Sequence, residues 1–391
     1  MTTASGGGFA LPPLALYVHI PWCVKKCPYC DFNSHTAGPN LPEEEYVDAL
    51  LADLDADLAQ VHNRPLSSIF FGGGTPSLFS PEAIGDILDA CSARLRFTPG
   101  AEIPMECNPG TAEFGRFEGY RDAGVNRVSF GIQSFDDGCL ARLGRIHDSA
   151  EAERAVKLAQ DAGLDNLNLD LMYALPGQDL AMALHDVERA VALQPAHLSH
   201  YQLTMEPNTA FAARPPEGLP DEDSAWDIQE HCIEAMAAAG YAQYEVSAYA
   251  RPGRQCAHNL NYWRFGDYLG IGAGAHGKVS DGATGAVRRR WKVKNPREYL
   301  ATAGTPAGLG GDDPISAVNL PFDYMLNALR LVEGFGLRDF ASRTGLDRGA
   351  IATELAEATA RGWLEVDGDH VRPTELGRRF TNDVIGLFLR D

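Results

Sequence analysis

Three cysteines, Cys23, Cys27 and Cys30, lie within eight residues of the stretch "YVHIPWCVKKCPYCDFNSH" (residues 17–35), spaced C-x3-C-x2-C. Thiolates packed into one short loop are soft ligands, suited to zinc or to an iron–sulfur cluster. Structural zinc takes four protein ligands, and a 4Fe–4S cluster has four irons. Three cysteines therefore leave one position to be filled from elsewhere. Zinc would recruit His19 or His35. Against zinc, the usual second, well-separated ligand pair is missing, and the loop directly follows a strand in a repeating α/β body. The remaining cysteines (Cys91, Cys107, Cys139, Cys232 and Cys256) are scattered and read as small buried hydrophobes. Eight cysteines in 391 residues are too few for a disulfide scaffold.

The loop is positioned by strand–helix units. "LALYVHIP" reads as a strand ending just before the cysteines. A helix follows, in which Val47, Leu50, Leu54, Leu58 and Val61 recur at three- and four-residue steps and share one face. "LSSIFFGGG" is the next strand, and Ser80 with Pro81 opens its helix. "AEIPMECNP" leads to a helix over Thr111–Ala123 with a stop at Gly124. "RVSFGIQS", "NLNLDLMYALPG" and "HLSHYQLTME" are further strands, with helical sequence between them. "YAQYEVSAYA" closes this first domain. Strand–helix alternation implies a parallel sheet with right-handed crossovers. Periodicity alone fits either a doubly wound sheet or part of a (β/α) barrel; both put their sites just beyond strand ends.

Polar residues gather at those ends. "GGGTPS" (Gly72–Ser77) follows the second strand; there the glycines are expected to allow close backbone approach and to leave N–H groups for a ligand. Glu106, Gln133, Arg145 and Asp170 lie at or just past successive strand ends. Each alone reads equally well as a loop or cap residue; together they suggest a ligand-lined mouth. Carboxylates suit hydroxyls and ammonium groups, and arginine suits a carboxylate. "GIGAGAHG" (Gly270–Gly277) lies outside the strand–helix repeat and reads as a structural turn, not a nucleotide loop.

The net charge of −20 argues against nucleic-acid binding. No apolar run is long enough to cross a bilayer, and "MTTASGGGFALPP" lacks the marks of a signal peptide. The expectation is a cytoplasmic protein with a flexible tail over residues 1–13. The C-terminal sequence suggests helix, turn, helix and a hairpin around Asp367–Asp369, a winged-helix outline. Residues 335–391 carry 8 arginines against 10 acidic residues, which favours packing or docking over DNA reading.

Taken together, "YVHIPWC", "CPYCDF", "FGGGTPS", "ECNP", "FGIQSF", "LGRIH", "DLMYALPGQ" and "LGIGAGAH" resemble the radical S-adenosylmethionine (SAM) family, specifically its oxygen-independent coproporphyrinogen III oxidase branch. That resemblance implies an α/β fold: a partial (β/α)6 barrel over residues 14–249 and a C-terminal α+β domain over residues 250–391 containing the winged-helix-like segment. It implies a 4Fe–4S cluster on Cys23, Cys27 and Cys30, with SAM on the open iron. A first SAM site would fall on Tyr17, the backbone at Tyr29, Gly73 and Glu106. A second contact set would fall on Gly74, Thr75, Gln133, Arg145 and Asp170.

Phe32 stands where the oxidases carry an additional cysteine, and the chain is short before its first strand. Both departures favour the family's haem chaperones over its decarboxylases, which act through a 5′-deoxyadenosyl radical. Radical chemistry on another substrate is a third reading. "HNLNYW" resembles the chaperones' haem-binding element, which would place haem on His258, Asn259, Tyr262 and Trp263. Imidazole ligates iron and flat rings pack on a porphyrin; the same residues also suit a buried turn. The resemblance further implies apo-haemoprotein clients, respiratory enzymes at the membrane among them, with peripheral membrane association and a homodimer left open.

Overall fold

A computed structural model describes residues 9–61, 63–110 and 116–390. Six parallel strands form its centre: β1 (Leu14–Ile20), β2 (Leu66–Gly73), β3 (Pro104–Cys107), β4 (Arg127–Gln133), β5 (Leu167–Tyr173) and β6 (His197–Gln202). Each pairs with the next in sequence order. This unreversed order marks a partial (β/α)6 barrel and excludes a doubly wound sheet, where the order would reverse at a switch point. Strand β1, "LALYVHI", is buried at all but Tyr17, as expected of a parallel strand covered on both faces.

The crossover helices are α1 (Glu43–Asp57), α2 (Pro81–Arg94), α3 (Phe117–Ala123), α4 (Ser149–Asp161) and α5 (Leu180–Ala192). Their starts follow local chemistry. Ser80 accepts from the Ala83 N–H with Pro81 at the first helical position, and Asp148 and Glu151 form a capping box. On α1 and the turn after it, Val47, Leu50, Leu54 and Val61 are buried as the spacing requires. Helix α3 is described from Phe117; positions 111–115 of the expected helix lie outside the described residues. Its stop is at Gly124, whose φ of 116° suits the left-handed cap.

The sheet runs across the expected domain boundary at 249/250. Asp267–Ile271 lies parallel to β1, and an antiparallel meander continues through His276–Ser280, Val287–Lys292 and Leu309–Pro314. The physical reason is the open edge of β1, whose backbone groups need a partner that the six-unit repeat does not provide. "YAQYEVSAYA" is two short antiparallel strands, Ala242–Glu245 and Ala248–Ala250, capping the β6 edge. Gly270–Gly277 spans the end of one strand, the turn over residues 272–275 and the start of the next strand. Past residue 314, helices Leu320–Ala328, Leu337–Thr344 and Ala352–Ala360 pack around Phe340, Ile351, Val371 and Phe388, with a hairpin at Leu364–Asp367 and His370–Pro373. This is the expected winged-helix outline. Most of the expected N-terminal tail lies outside the described residues; from residue 9 the chain is held, Ala10 N–H bonding Ser342 O at 2.9 Å. No described helix is long and apolar enough to cross a membrane.

Candidate functional site

The cysteine loop is fastened at both ends. Trp22–Cys23 pairs with His35–Thr36, and Ala37 N–H bonds Cys23 O at 2.8 Å. Lys26 Nζ donates to the carbonyls of Phe32 and Ser34 at 3.0 and 3.2 Å, so this lysine staples the loop. Asn33 Nδ2 donates to Ala273 O and Lys294 O, each at 2.9 Å, tying the loop to the sheet extension. Cys23, Cys27 and Cys30 then line one open cavity of about 410 Å³ at the C-terminal ends of the barrel strands. All three thiols are free and partly exposed.

The zinc alternative fails on geometry. His19 accepts the Tyr17 hydroxyl at Nδ1 (2.9 Å) and donates from Nε2 to Asn33 O (2.9 Å), which spends both ring nitrogens. Burial pushes its pKa down to about 4, so the ring is neutral. Neither His19 nor His35 lines the cavity, and among the described residues no three ligating side chains converge on a single-ion position. Three thiols on one loop suit a cluster, in which each would take its own iron. Burial raises the Cys23 pKa, opposed by the Thr75 hydroxyl, so loading metal there releases a proton.

The rest of the wall is polar. Tyr29, Gly73, Gly74, Thr75, Glu106, Gln133, Arg145 and Asp170 all line the cavity beside the thiols. Burial, then the Asp170 carboxylate, pushes Glu106 up to about 7. Burial likewise raises Asp170, which accepts from Ser129 Oγ at 3.0 Å and Asn168 Nδ2 at 2.8 Å. Arg145 Nη1 lies 3.4 Å from Cys27 Sγ, and its Nη2 donates to Gly131 O at 2.7 Å and to Asn108. Its buried Nε has no partner among the described residues. Gln133 takes a φ of 72°, and its side-chain oxygen accepts from the Tyr201 hydroxyl at 2.8 Å. A non-glycine residue in that region is held there by its surroundings, a pattern common at ligand sites.

Asp170 also begins a buried chain through the barrel. Asn168, which donates to Asp170, accepts from His197 Nδ1 at 2.6 Å; His197 Nε2 accepts from the Tyr244 hydroxyl at 2.8 Å.

Several expectations change. Tyr17 does not line the cavity; it sits one layer behind, holding His19. The N–H groups after β2 are not left open. Gly73 N–H bonds Glu106 Oε2 at 3.0 Å, Gly74 N–H bonds Ile20 O at 2.8 Å and Thr75 N–H bonds Trp22 O at 2.7 Å. Gly74 is needed for close approach instead, because a Cβ there would meet Trp22 O at 2.4 Å. Gly74→Ala should therefore push the cysteine loop outward. We expect a loss of about 1–3 kcal/mol in urea unfolding, together with poorer retention of reconstituted iron.

"HNLNYW" does not form one ligand-facing surface. On helix Ala257–Trp263, His258 and Tyr262 are four residues apart and share the inward face, while Asn259 and Trp263 share another. His258 is 2% exposed, bonds Ser68 Oγ through Nδ1 at 2.8 Å and packs on Phe70 and Tyr262. Burial pushes its pKa down to about 3. Trp263 lies under the Arg330 guanidinium. None of the four lines the thiol cavity.

Ser129, Asn108 and Tyr201 line the cavity without having been singled out. The signal for Ser129 was present: with Gly131 and Gln133 it recurs every second residue of β4, the period that aims side chains to one face.

Comparison with known proteins matches residues 17–190 to the radical SAM superfamily and residues 315–380 to the HemN C-terminal domain. The heme chaperone HemW of Escherichia coli K12 is 51% identical over 97% of this chain and 99% of its own length. The Haemophilus influenzae protein of that name is 49% identical over the same shares, and that of Bacillus subtilis is 33% identical over 95% and 98%. Among solved structures, the radical SAM enzyme coproporphyrinogen III oxidase (HemN) of E. coli superposes with a TM-score of 0.81. That match covers 97% of this chain and 90% of the oxidase, at 22% identity, and it establishes the shared fold.

Proposed function

This chain belongs to the HemW family of radical SAM proteins, and we propose that it is a haem chaperone: it binds haem and hands it to apo-haemoproteins, respiratory enzymes at the membrane among them. The observation that carries this is similarity to HemW proteins along essentially the whole chain, reaching 51% identity. Phe32 supports the same reading against decarboxylation. It lines the cavity and is 58% exposed, where a further thiol would be needed to match the oxidases.

In this reading Cys23, Cys27 and Cys30 hold a 4Fe–4S cluster, which supplies a redox centre with one open iron. Tyr29, Gly73, Gly74, Thr75, Glu106, Gln133, Arg145 and Asp170 surround SAM beside it. Arg145 pairs with a carboxylate, and its charge is secure: burial would lower its pKa, but Tyr29 and Cys27 outweigh burial and raise it. Glu106 and Asp170 suit the ligand's ammonium and ribose hydroxyls.

Anaerobic reconstitution followed by haem titration tests the proposal. A Soret band that saturates, and haem passed from the loaded protein to an apo-haemoprotein, are expected. A chain that binds no haem, or that converts coproporphyrinogen III to a vinyl-bearing product, would overturn it.

Glu106 also predicts a pH dependence. With its carboxyl at about 7 when folded, it is mostly protonated below that pH and charged above it. The folded state then binds the proton more tightly than the unfolded chain, so this group's contribution to stability falls as pH rises from about 4.5 to about 7. Affinity for the cationic ligand moves oppositely, strengthening roughly tenfold between about pH 6 and about pH 8. Equilibrium dialysis with SAM should show that rise in wild type and a flat profile in Glu106→Gln.

A further inference from the structure

The strand register sets three polar side chains in a row inside the barrel. Ser129 on β4, Asn168 on β5 and His197 on β6 are direct neighbours, and Asp170 and Ser199 follow two residues further along the same face. Asn168 uses its whole amide there. Its Oδ1 accepts from His197 Nδ1 at 2.6 Å and from Ser199 Oγ at 3.1 Å, while its Nδ2 donates to Ser129 Oγ at 2.7 Å and to Asp170 Oδ1 at 2.8 Å. Ser129 Oγ in turn donates to Asp170 Oδ2 at 3.0 Å.

Donation therefore runs one way. Cys256 N–H donates to the Tyr244 hydroxyl at 3.2 Å, the hydroxyl to His197 Nε2, the ring to Asn168, and Asn168 to Asp170. The ring has a single proton to give, because burial and then Arg127 push the His197 pKa well below its usual value. Reversing the chain needs a proton on Asp170, donated to Asn168 Oδ1, and the ring proton on Nε2, donated to Tyr244. The Tyr244 proton would then have no acceptor among the described residues. Tyr244 is also held in place, its carbonyl accepting from Val332 N–H at 3.0 Å.

From this geometry we infer that Tyr244 and His197 are positioning residues for the thiol cavity: by fixing the direction of donation they hold Asp170 as a charged acceptor and so set the affinity for a cationic ligand. The inference rests on the reading that Asp170 faces SAM. Asn168, His197 and Tyr244 do not line the cavity, so their effect on a ligand passes through Asp170. Aligned hydrogen bonds polarise one another, and a charged acceptor strengthens them. Together they oppose burial, which by itself raises the Asp170 pKa. The other ionisable groups facing Asp170 are Glu106 on β3, Arg127 on β4 and Tyr201 on β6; Glu106 opposes the charge and Arg127 favours it.

Equilibrium dialysis of SAM against the reconstituted full chain, from about pH 6 to about pH 9, is the test. Wild type should level off above about pH 8, once Glu106 is charged. Tyr244→Phe removes one oxygen and frees the chain to reverse. It should bind about tenfold more weakly at about pH 7 and go on gaining affinity to about pH 9, because Asp170 must first lose a proton. His197→Leu should do the same. His197→Asn sets an amide N–H where Nδ1–H stood, and should bind as wild type does. Adding Tyr244→Phe to it should change nothing, since the amide does not take its direction from the hydroxyl. Each variant is compared at full iron content. A Tyr244→Phe profile that superimposes on wild type would overturn the inference. So would one lowered by the same factor at every pH, which is what lost packing alone would give. Asp170→Asn separates this from the reading beneath it. If that variant binds about tenfold more weakly, the cavity reading stands whatever Tyr244→Phe does. If it binds SAM as tightly as wild type, Asp170 leaves the ligand site and the inference falls with it.

Discussion

Cys27→Ala is expected to abolish assembly of the cluster, lowering reconstituted iron from about four per chain to below one. The position is the most demanding of the three thiols. Cys27 is the one that Arg145 Nη1 approaches, and that guanidinium is buried with its Nε already unpartnered. Removing the thiol deletes one iron ligand and also strips a partner from a buried cation, which is costly even before metal is added. Cys91→Ala is the matched control. Cys91 is fully buried in the main core, far from any ligating role, and should keep full iron at a modest cost in stability. Iron and sulfide analysis with the absorption spectrum reads both variants. Full iron on Cys27→Ala would sink the cluster assignment.

Much of this site was legible because its residues obey short-range rules. The cysteine spacing, the glycine run after β2 and the polar residues past successive strand ends each follow from a strand needing to stop and a site needing ligands. What was not legible depends on contacts across hundreds of residues. The N–H groups of Gly73, Gly74 and Thr75 read as open to a ligand, yet they bond Glu106, Ile20 and Trp22. Only the folded barrel shows that the glycines serve the cysteine loop's backbone. Tyr17 falls one layer behind the cavity for a similar reason, as its hydroxyl is taken by His19. The fold misled at residue 250, where the strand–helix rhythm ends but the sheet does not. Asp267–Ile271 is five residues long and reads as nothing in particular until the unpaired edge of β1 is seen. "HNLNYW" shows the converse limit. Its composition suits a ligand, but helical phase sends His258 and Trp263 to different surroundings.

Lys292→Met should destabilise the fold by about 3–5 kcal/mol. Lys292 ends the strand Val287–Lys292 and reaches two carboxylates on α1: Asp57, at 2.8 Å, and Asp53. All three side chains are at most 5% exposed, so deleting the cation leaves buried negative charge uncompensated. Arg290 at 2.7 Å still serves Asp57, whereas among the described residues Asp53 keeps only the Tyr299 hydroxyl at 2.7 Å and the Gly272 N–H. Burial already raises the Asp53 pKa, with Lys292 opposing it; without the lysine it rises further. A carboxyl raised in the folded state is stabilised by protonation, so the variant's deficit in urea unfolding should shrink as pH falls from about 8 to about 5. Adding Asp53→Asn should recover part of the loss at neutral pH. A single variant within about 1 kcal/mol of wild type would show that the cluster is not buried as described. The consequence reaches the metal site. Gly272 precedes Ala273, whose N–H bonds the Tyr46 hydroxyl and whose carbonyl accepts from Asn33 in the cysteine loop, while Tyr46 donates to His19 O. Loosening the ion cluster therefore loosens the anchor of the loop that carries Cys23, Cys27 and Cys30. Lys292→Met should lose reconstituted iron faster than wild type, even at pH values where it remains folded.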